Sequence, residues 1–568
     1  MRSLLLSRRD LDFLLYEWLH AEELVSSARF AEHSRETFDG YLDLCADLAT
    51  RYFAPHNKLA DANEPTFDGT RVTMIPEVKR AVQAFGQADL VGAAMDAAVG
   101  GMQLPAVVAA AGFAWFQAAN VGTAAYPMLT VANANLIAAH GSPEQIEQFV
   151  RPMVAGRYTG TMCLSEPQAG SSLADIVTRA EPAGDGSYRV FGSKMWISGG
   201  EHELAENIIH LVLAKIAGGP PGVKGISLFI VPRVLPDGSR NDVALAGLNH
   251  KMGYRGTVNT VLQFGENGGA IGYLVGEAHQ GLAYMFHMMN EARVGVGMGA
   301  TALGYTGYLK SLDYARTRRQ GRRLGGTEVV PLVAHPDVRR MLLAQKAYVE
   351  GALALELYCS ALLDRERRDL LDILTPVAKS WPSQWCLEAN SLAIQVHGGY
   401  GYTREYDVEQ HYRDNRLNPI HEGTHGIQGL DLLGRKVARQ HGLELVGAEI
   451  AKSVAAADAS DLTRTLAGQL AAVWQQLTVT TAAMFGPGDI EAALANSSVY
   501  LEAFGHIVVA WMWLEQAVAA VGRDGDFYDG KRQAAQFFFA YELPKVGPQL
   551  DLLAALDRTT LDMRDDWF

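Results

Sequence analysis

Residues 395–428 read QVHGGYGYTREYDVEQHYRDNRLNPIHEGTHGIQ, and the reading of the whole chain starts from them. The stretch opens on an aromatic glycine turn, Gly398-Gly399-Tyr400-Gly401-Tyr402. It passes through a charged helical run from Glu405 to Arg416 and ends at His421-Glu422-Gly423-Thr424. Pro419 disfavours helix at Asn418, and Gly423 lets the backbone come close to a ligand. Glu422 is therefore expected at a tight bend just before a helix. Asp407, Glu409, Arg413, Asp414 and Arg416 suit a solvated helix face. Glu422 differs, because Gly423, Thr424 and Gly426 surround it instead of the partners of a surface ion pair. That makes it a candidate catalytic carboxylate.

Outside this stretch, size and charge narrow the alternatives. At 568 residues, 48% hydrophobic and 20% charged, the chain can bury large cores in several domains. A net charge of −14 argues against a nucleic-acid or anionic-membrane binder, since both need a basic face. Cys45, Cys163, Cys359 and Cys386 are scattered, with no CxxC pair or metal-ligand spacing, which reads as reduced thiols and no metal. The apolar run Leu4–Leu6 is cut by Arg8, Arg9 and Asp10, too brief for a signal peptide. The run from Leu104 to Phe116 is too short and too Ala-rich to span a bilayer. A soluble, cytoplasmic protein with no integral membrane segment is expected.

Periodicity divides the chain into four parts. Residues 1–157 read as helical, with Ser142-Pro143-Glu144 a strong helix start. Over 158–278 the period falls toward two, and Tyr188–Ile197, Asn207–Ile216, Gly225–Val234 and Thr257–Phe264 read as strands. Without helices between them, these strands suggest an antiparallel barrel or sandwich. Residues 279–440 are helical again. Gly295, Gly297, Gly299, Gly304 and Gly307 in their first helix point to close packing against another helix or a ligand. Residues 441–568 form a further helical block rich in Ala, Leu and aromatics.

Three other stretches carry chemistry. MCLSEPQAGSS at 162–172 places Ser165, Ser171 and Ser172 in a turn able to offer hydroxyls and backbone N–H groups to an anionic or heteroaromatic ligand. KMWISGG at 194–200 ends a strand with Trp196 and Ser198. MNEAR at 289–293, followed by RTRRQGRR at 316–323, sets a dense basic run on an acidic chain, suited to a pyrophosphate or to a solvated helix end.

In this order the stretches resemble the acyl-CoA dehydrogenase family over roughly residues 30–440. The family pattern of a C-x-[TS]-E-P-x-A-G-S loop, a W-I-[TS] strand end, an [DN]-x-x-R helix, a Q-x-x-G-G-x-G turn and an E-G-T motif has counterparts at Cys163–Ser171, Trp196–Ser198, Asn290–Arg293, Gln395–Gly401 and Glu422–Thr424. The turn matches loosely. The length and the extension look most like a long subgroup that includes long-chain acyl-CoA and 3-methylmercaptopropionyl-CoA dehydrogenases. The resemblance implies an α+β fold: amino-terminal helices (1–157), a middle β-barrel (158–278), a carboxy-terminal four-helix bundle (279–440), and here an extra helical domain (441–568).

It also implies FAD. By position, Leu164 and Ser165 would meet the flavin pyrimidine edge, Trp196 and Ser198 would lie near N5, and Ser171 near the phosphates. Arg318, Gln395 and Gly399 would reach the FAD of a partner subunit, and Thr424 and Gly426 would approach the adenosine diphosphate half. Asn290 and Arg293 would hold the CoA portion of an acyl-CoA substrate. Glu422 would take the α-proton, the β-hydride would go to flavin N5, and electrons would pass to an electron-transfer flavoprotein. Some members carry the base just before the helix arginine; here that slot is Ala292, and Glu291 should face away by about 100°. His421 and His425 flank the base, where a structural role is favoured. A DNA-associated alkylation-response flavoprotein and an acyl-CoA oxidase are competing readings on the same fold. The first needs a basic extension, but residues 441–568 hold 8 Lys and Arg against 17 Asp and Glu. The extension is too apolar for a tail and is expected to cover a bundle face, leaving a homodimer.

Overall fold

The structure, a computed structural model, describes residues 3–568, His287 and Met288 by backbone alone. It divides into two compact units: residues 25–292, and a second in which residues 3–24 join 293–568. The amino-terminal segment thus clusters with the last half of the chain, not with the helices that follow it.

In the first unit, α1 (Arg35–Leu48) buries Phe38, Tyr41, Leu42 and Cys45 of the helically spaced set Phe38, Tyr41, Leu42, Cys45 and Leu48, and leaves Leu48 half-buried. Helix α2 (Ala106–His140) is apolar on all sides and correspondingly buried along most of its length. Ser142 caps the next short helix: its Oγ accepts from Gln145 N at 3.2 Å, and its own N–H donates to Gln145 Oε1 at 3.0 Å. Pro143 fills the first helical position, as its missing N–H allows.

Eight strands follow: β1 (Tyr158–Cys163), β2 (Arg179–Pro182), β3 (Tyr188–Ser198), β4 (Asn207–Ile216), β5 (Ile226–Pro232), β6 (Val243–Leu248), β7 (Asn259–Phe264) and β8 (Ala270–Leu274). Their order is β8-β5-β4-β2-β3-β7-β6, and β8 also pairs with β3, which closes a ring. Strand β4 falls at the span read from the sequence, and β3, β5 and β7 fall within two residues of theirs. The expectation of a wholly antiparallel sheet is corrected, because β1 and β2 run parallel to β4. Parallel neighbours need a crossover, and β3, which the chain traverses between either strand and β4, supplies it. Asn133 of α2 pins helix to barrel by donating to Thr161 O (3.0 Å) and Ile209 O (2.8 Å).

The helix α3 (Gly281–Thr317) leads into the second unit. There its glycines do what their positions suggest: a Cβ on Gly297, Gly304 or Gly307 would overlap the Ala378 carbonyl, Cys386 or Asn390. The basic run after α3 is not simply a helix end. Arg319–Arg322 forms an exposed strand, β9, paired with β10 (Val329–Pro331). Helices α4 (Pro336–Asp364) and α5 (Arg368–His397) pack along each other, and α6 (Val408–Asn415) and α7 (His425–Asp431) follow, packed on α5.

The extension adds α8 (Asp461–Phe485) and α9 (Ser497–Ala519). Trp511, Trp513 and the run Phe537–Phe539 are buried. Trp513 Nε1 donates to Ala347 O of α4 at 3.0 Å, and only a glycine at 351 leaves room for its ring. Lys531, fully buried, meets Asp10 at 2.5 Å and Glu350 at 2.8 Å, tying residues 3–24, α4 and the extension together. The four cysteines are free and buried. Among the described residues no helix is long and apolar enough to cross a membrane.

Candidate active site

The turn containing Glu422 has the geometry its sequence implies. Glu422 and Gly423 both adopt left-handed backbone, with φ of +54° and +95°. For a glutamate this conformation is costly, and it persists only where the surroundings enforce it. The two carbonyls of the turn are both held by buried side chains. Gln428 Nε2 donates to Glu422 O at 3.0 Å, and Lys379 Nζ donates to Gly423 O at 2.5 Å. Thr424 then caps α7, its hydroxyl accepting from Ile427 N. Gly426, in the first turn of α7, is half-buried.

Burial pushes the Glu422 carboxyl above its ordinary value, while the nearby cations of Arg293 and Lys379 oppose the rise. Arg293 is buried and paired with Asp431 at 3.1 Å. Asn290 precedes it by one turn of α3 and is half-buried. Burial and Lys379 together hold His421 down to about 3, and burial, Lys379 and Arg416 hold His425 down to about 4. His421 Nε2 pairs with Asn418 Oδ1 at 3.1 Å. Both histidines are therefore held in the neutral form near neutral pH. Glu291 lies on the first unit's portion of α3, where Asn135 Nδ2 donates to its carboxylate at 3.1 Å.

The aromatic glycine turn and the arginine-rich segment meet. Gln395 is exposed in the last turn of α5, Gly398 and Gly399 have open space where a Cβ would stand, and the Arg318 guanidinium lies 5.8 Å from the Tyr400 ring centroid.

In the first unit, Leu164, Ser165, Trp196 and Ser198 are brought together by one device. The register between β3 and β7 slips between Lys194 and Ile197. At this bulge Trp196 takes φ +67° and turns outward, 58% exposed. The loop after β1 is fastened to the bulge, since Met195 N–H donates to Ser165 O at 3.0 Å and Lys194 Nζ to Leu164 O at 2.9 Å. Lys194 also pairs with Glu166 at 3.0 Å, both side chains buried. Burial raises the Glu166 carboxyl, but Lys194 and hydrogen bonds from Thr178 and Val177 outweigh it and hold it at about 2. Asn259 Nδ2 donates to Ser198 Oγ at 3.1 Å. Ser171 is exposed on the same loop.

Sequence reading passed over Lys194, Glu166, Lys379 and Gln428, which hold these turns from behind. A signal existed for Lys379: it is the one charge in the apolar run LTPVAKSWPSQW.

The chain matches four family models in succession: the acyl-CoA dehydrogenase N-terminal domain over 40–157, the middle domain over 161–266, the C-terminal domain over 279–437, and an acetyl-CoA dehydrogenase C-terminal-like domain over 446–564. The 3-methylmercaptopropionyl-CoA dehydrogenase of Ruegeria pomeroyi is 35% identical, over 93% of this chain and 94% of that protein. The broad-specificity linear acyl-CoA dehydrogenase FadE5 of Mycobacterium tuberculosis is 32% identical over 99% of both. Among solved structures, an acyl-CoA dehydrogenase from Bacillus anthracis complexed with FAD superposes with a TM-score of 0.77 at 19% identity, over 97% of this chain and 93% of that one. Four consecutive domain matches and full-length relatives place this chain in the acyl-CoA dehydrogenase family, whose cofactor is FAD.

Proposed function

We propose that the protein removes the α and β hydrogens of an unbranched acyl-CoA thioester, with Glu422 as the base. The observation that carries this is a single carboxylate, raised by burial, held in a strained turn beside two cations. An α-proton beside a thioester is weakly acidic, so the base must be both strong and well placed. Burial supplies strength and the pinned turn supplies placement. The Glu422 backbone N–H would donate to the thioester oxygen as negative charge develops there.

The residues present fit FAD. Trp196 offers an exposed indole face to a planar ring, the glycine turn is open, and Arg318 carries an exposed cation for a phosphate. Leu164, Ser165, Ser171, Trp196 and Ser198 would bind it, with Thr424 and Gly426 toward the adenosine diphosphate half; Arg318, Gln395 and Gly399 would reach the FAD of the other subunit in a homodimer. When bound, FAD supplies the hydride acceptor. Asn290 and Arg293 would serve the CoA end of the substrate. An unbranched acyl group is supported by the names of the relatives above, one acting on linear acyl-CoAs and one on 3-methylmercaptopropionyl-CoA. Electron-transfer flavoprotein is the proposed acceptor.

The test is anaerobic flavin bleaching across straight and branched acyl-CoAs, with wild type and Glu422→Gln. Straight chains should bleach wild type fastest. The variant should keep FAD and lose about a hundredfold or more in reduction rate, the scale of a general base. Near-normal reduction would move the base elsewhere, with Glu291 next to test. Hydrogen peroxide matching product under air would instead identify an oxidase.

A further inference from the structure

Lys379 lies in the middle of α5, between Pro376 and Pro382, and its side chain is fully buried. A buried ammonium is expensive unless it is paired. Yet among the described residues its hydrogen-bond partner is a backbone carbonyl, Gly423 O at 2.5 Å, and no carboxylate lies within ion-pair distance. A methionine or leucine would fill the same space without that cost. The cation is therefore retained for something other than packing.

We propose that Lys379 is a positioning residue for proton abstraction, fastening the Glu422–Gly423 turn through the Gly423 carbonyl while its charge keeps the Glu422 carboxyl in the proton-accepting state. This rests on the reading of Glu422 as the base. The two functions are joined geometrically. The same Nζ that bonds the turn sits close enough for its charge to act on Glu422, and the Glu422 charge acts back on it.

No other group around the pair both fastens the turn and acts on Glu422 by charge. Arg293, on α3, acts on Glu422 more strongly than Lys379 does, but its bond is to Asp431 of α7 at 3.1 Å and not to the turn, and Asp431 is further tied to Arg435 at 2.7 Å. His421 and His425 on the turn itself are held neutral, and Arg416 acts on His425. Gln428 holds the neighbouring carbonyl but carries no charge. Burial and Arg293 lower Lys379 against the pull of Glu422, bringing it to about 7. It is thus the cation whose charge can change near neutral pH.

Removing a cation beside a carboxylate raises the carboxylate pKa, so the sign is definite. The experiment is anaerobic single-turnover flavin reduction by a productive straight-chain acyl-CoA, measured across pH for holoenzyme carrying Lys379→Met or Lys379→Arg. Bound FAD and the thermal midpoint are read in parallel. In Lys379→Met the acid limb should move to higher pH by about one unit or more. Lys379→Arg, charged at every accessible pH, should return the limb to the wild-type position or below it. A uniform loss at all pH with an unmoved limb would make Lys379 merely structural and overturn the proposal. So would an upward shift in Lys379→Arg, which keeps the inference testable if Lys379→Met fails to fold. Glu422→Gln separates the two readings. If it reduces flavin normally, the base assignment has failed. If it is silent while the Lys379→Met limb stays in place, only the role of Lys379 has failed.

Discussion

Glu166 and Glu422 are two carboxylates on which burial acts alike and partners act differently. Burial penalises the ionised form of both, but Glu166 receives Lys194 in direct contact, the Val177 and Thr178 N–H groups and the Thr178 hydroxyl. Glu422 has two cations nearby and, among the described residues, no such direct pairing. One becomes a fastening; the other is left as the carboxylate proposed above as the base. Because its folded value is depressed to about 2, Glu166 contributes stability that is present above the ordinary carboxylate value of roughly 4.3 and is lost as pH falls through its folded value. Glu166→Gln strands the buried Lys194 and should cost about 3–5 kcal/mol at neutral pH. The gap from wild type should narrow in acid; urea unfolding at both pH values measures it. The raised Glu422 has the opposite sign, since its ionised form costs stability at neutral pH. Glu422→Gln should therefore unfold at no lower temperature than wild type, a further check on the base assignment.

At the scale of elements, caps and periods behaved as local physics requires. The Ser142 capping box with Pro143 behind it is local in every part. Ser142→Ala should destabilise by about 1 kcal/mol, seen as a small fall in thermal midpoint with FAD binding unchanged. Strand spans followed the period-two pattern because each side chain's face is set by its own strand. The bulge that turns Trp196 outward was not legible. Nothing in KMWISGG marks a left-handed tryptophan; the slip exists only relative to β7. The parallel placement of β1 was hidden for the same reason, because pairing direction depends on a partner far along the chain.

At the scale of the molecule, the extension covers apolar surface of the bundle. Trp513 sits against α4, Trp381 of α5 lies beside His506 of α9, and Lys531 ties Asp10 to Glu350. Deleting residues 441–568 would expose Trp381 and the α4 surface beneath Trp513, and would take Lys531 away from the buried Asp10 and Glu350. We expect the truncated protein to aggregate or form higher assemblies, and the intact protein to scatter light as a homodimer. A tetramer from the intact protein, or an unchanged soluble dimer after deletion, would defeat the idea.

The local chemistry of this protein was determined by its sequence: a carboxylate, glycine and threonine at a bend, a glycine-lined helix, a capped helix start and a run of strands. Each depends on a residue's own backbone preferences or on neighbours a few positions away. Tertiary structure alone decided which buried side chains stand behind those motifs. Lys379 and Glu422 are far apart in the chain, as are Lys194 and Glu166, or Lys531 and Asp10. Burial and pairing arise only when separate segments pack together. A lysine in an apolar helix therefore reads as an anomaly until its distant partner is in place.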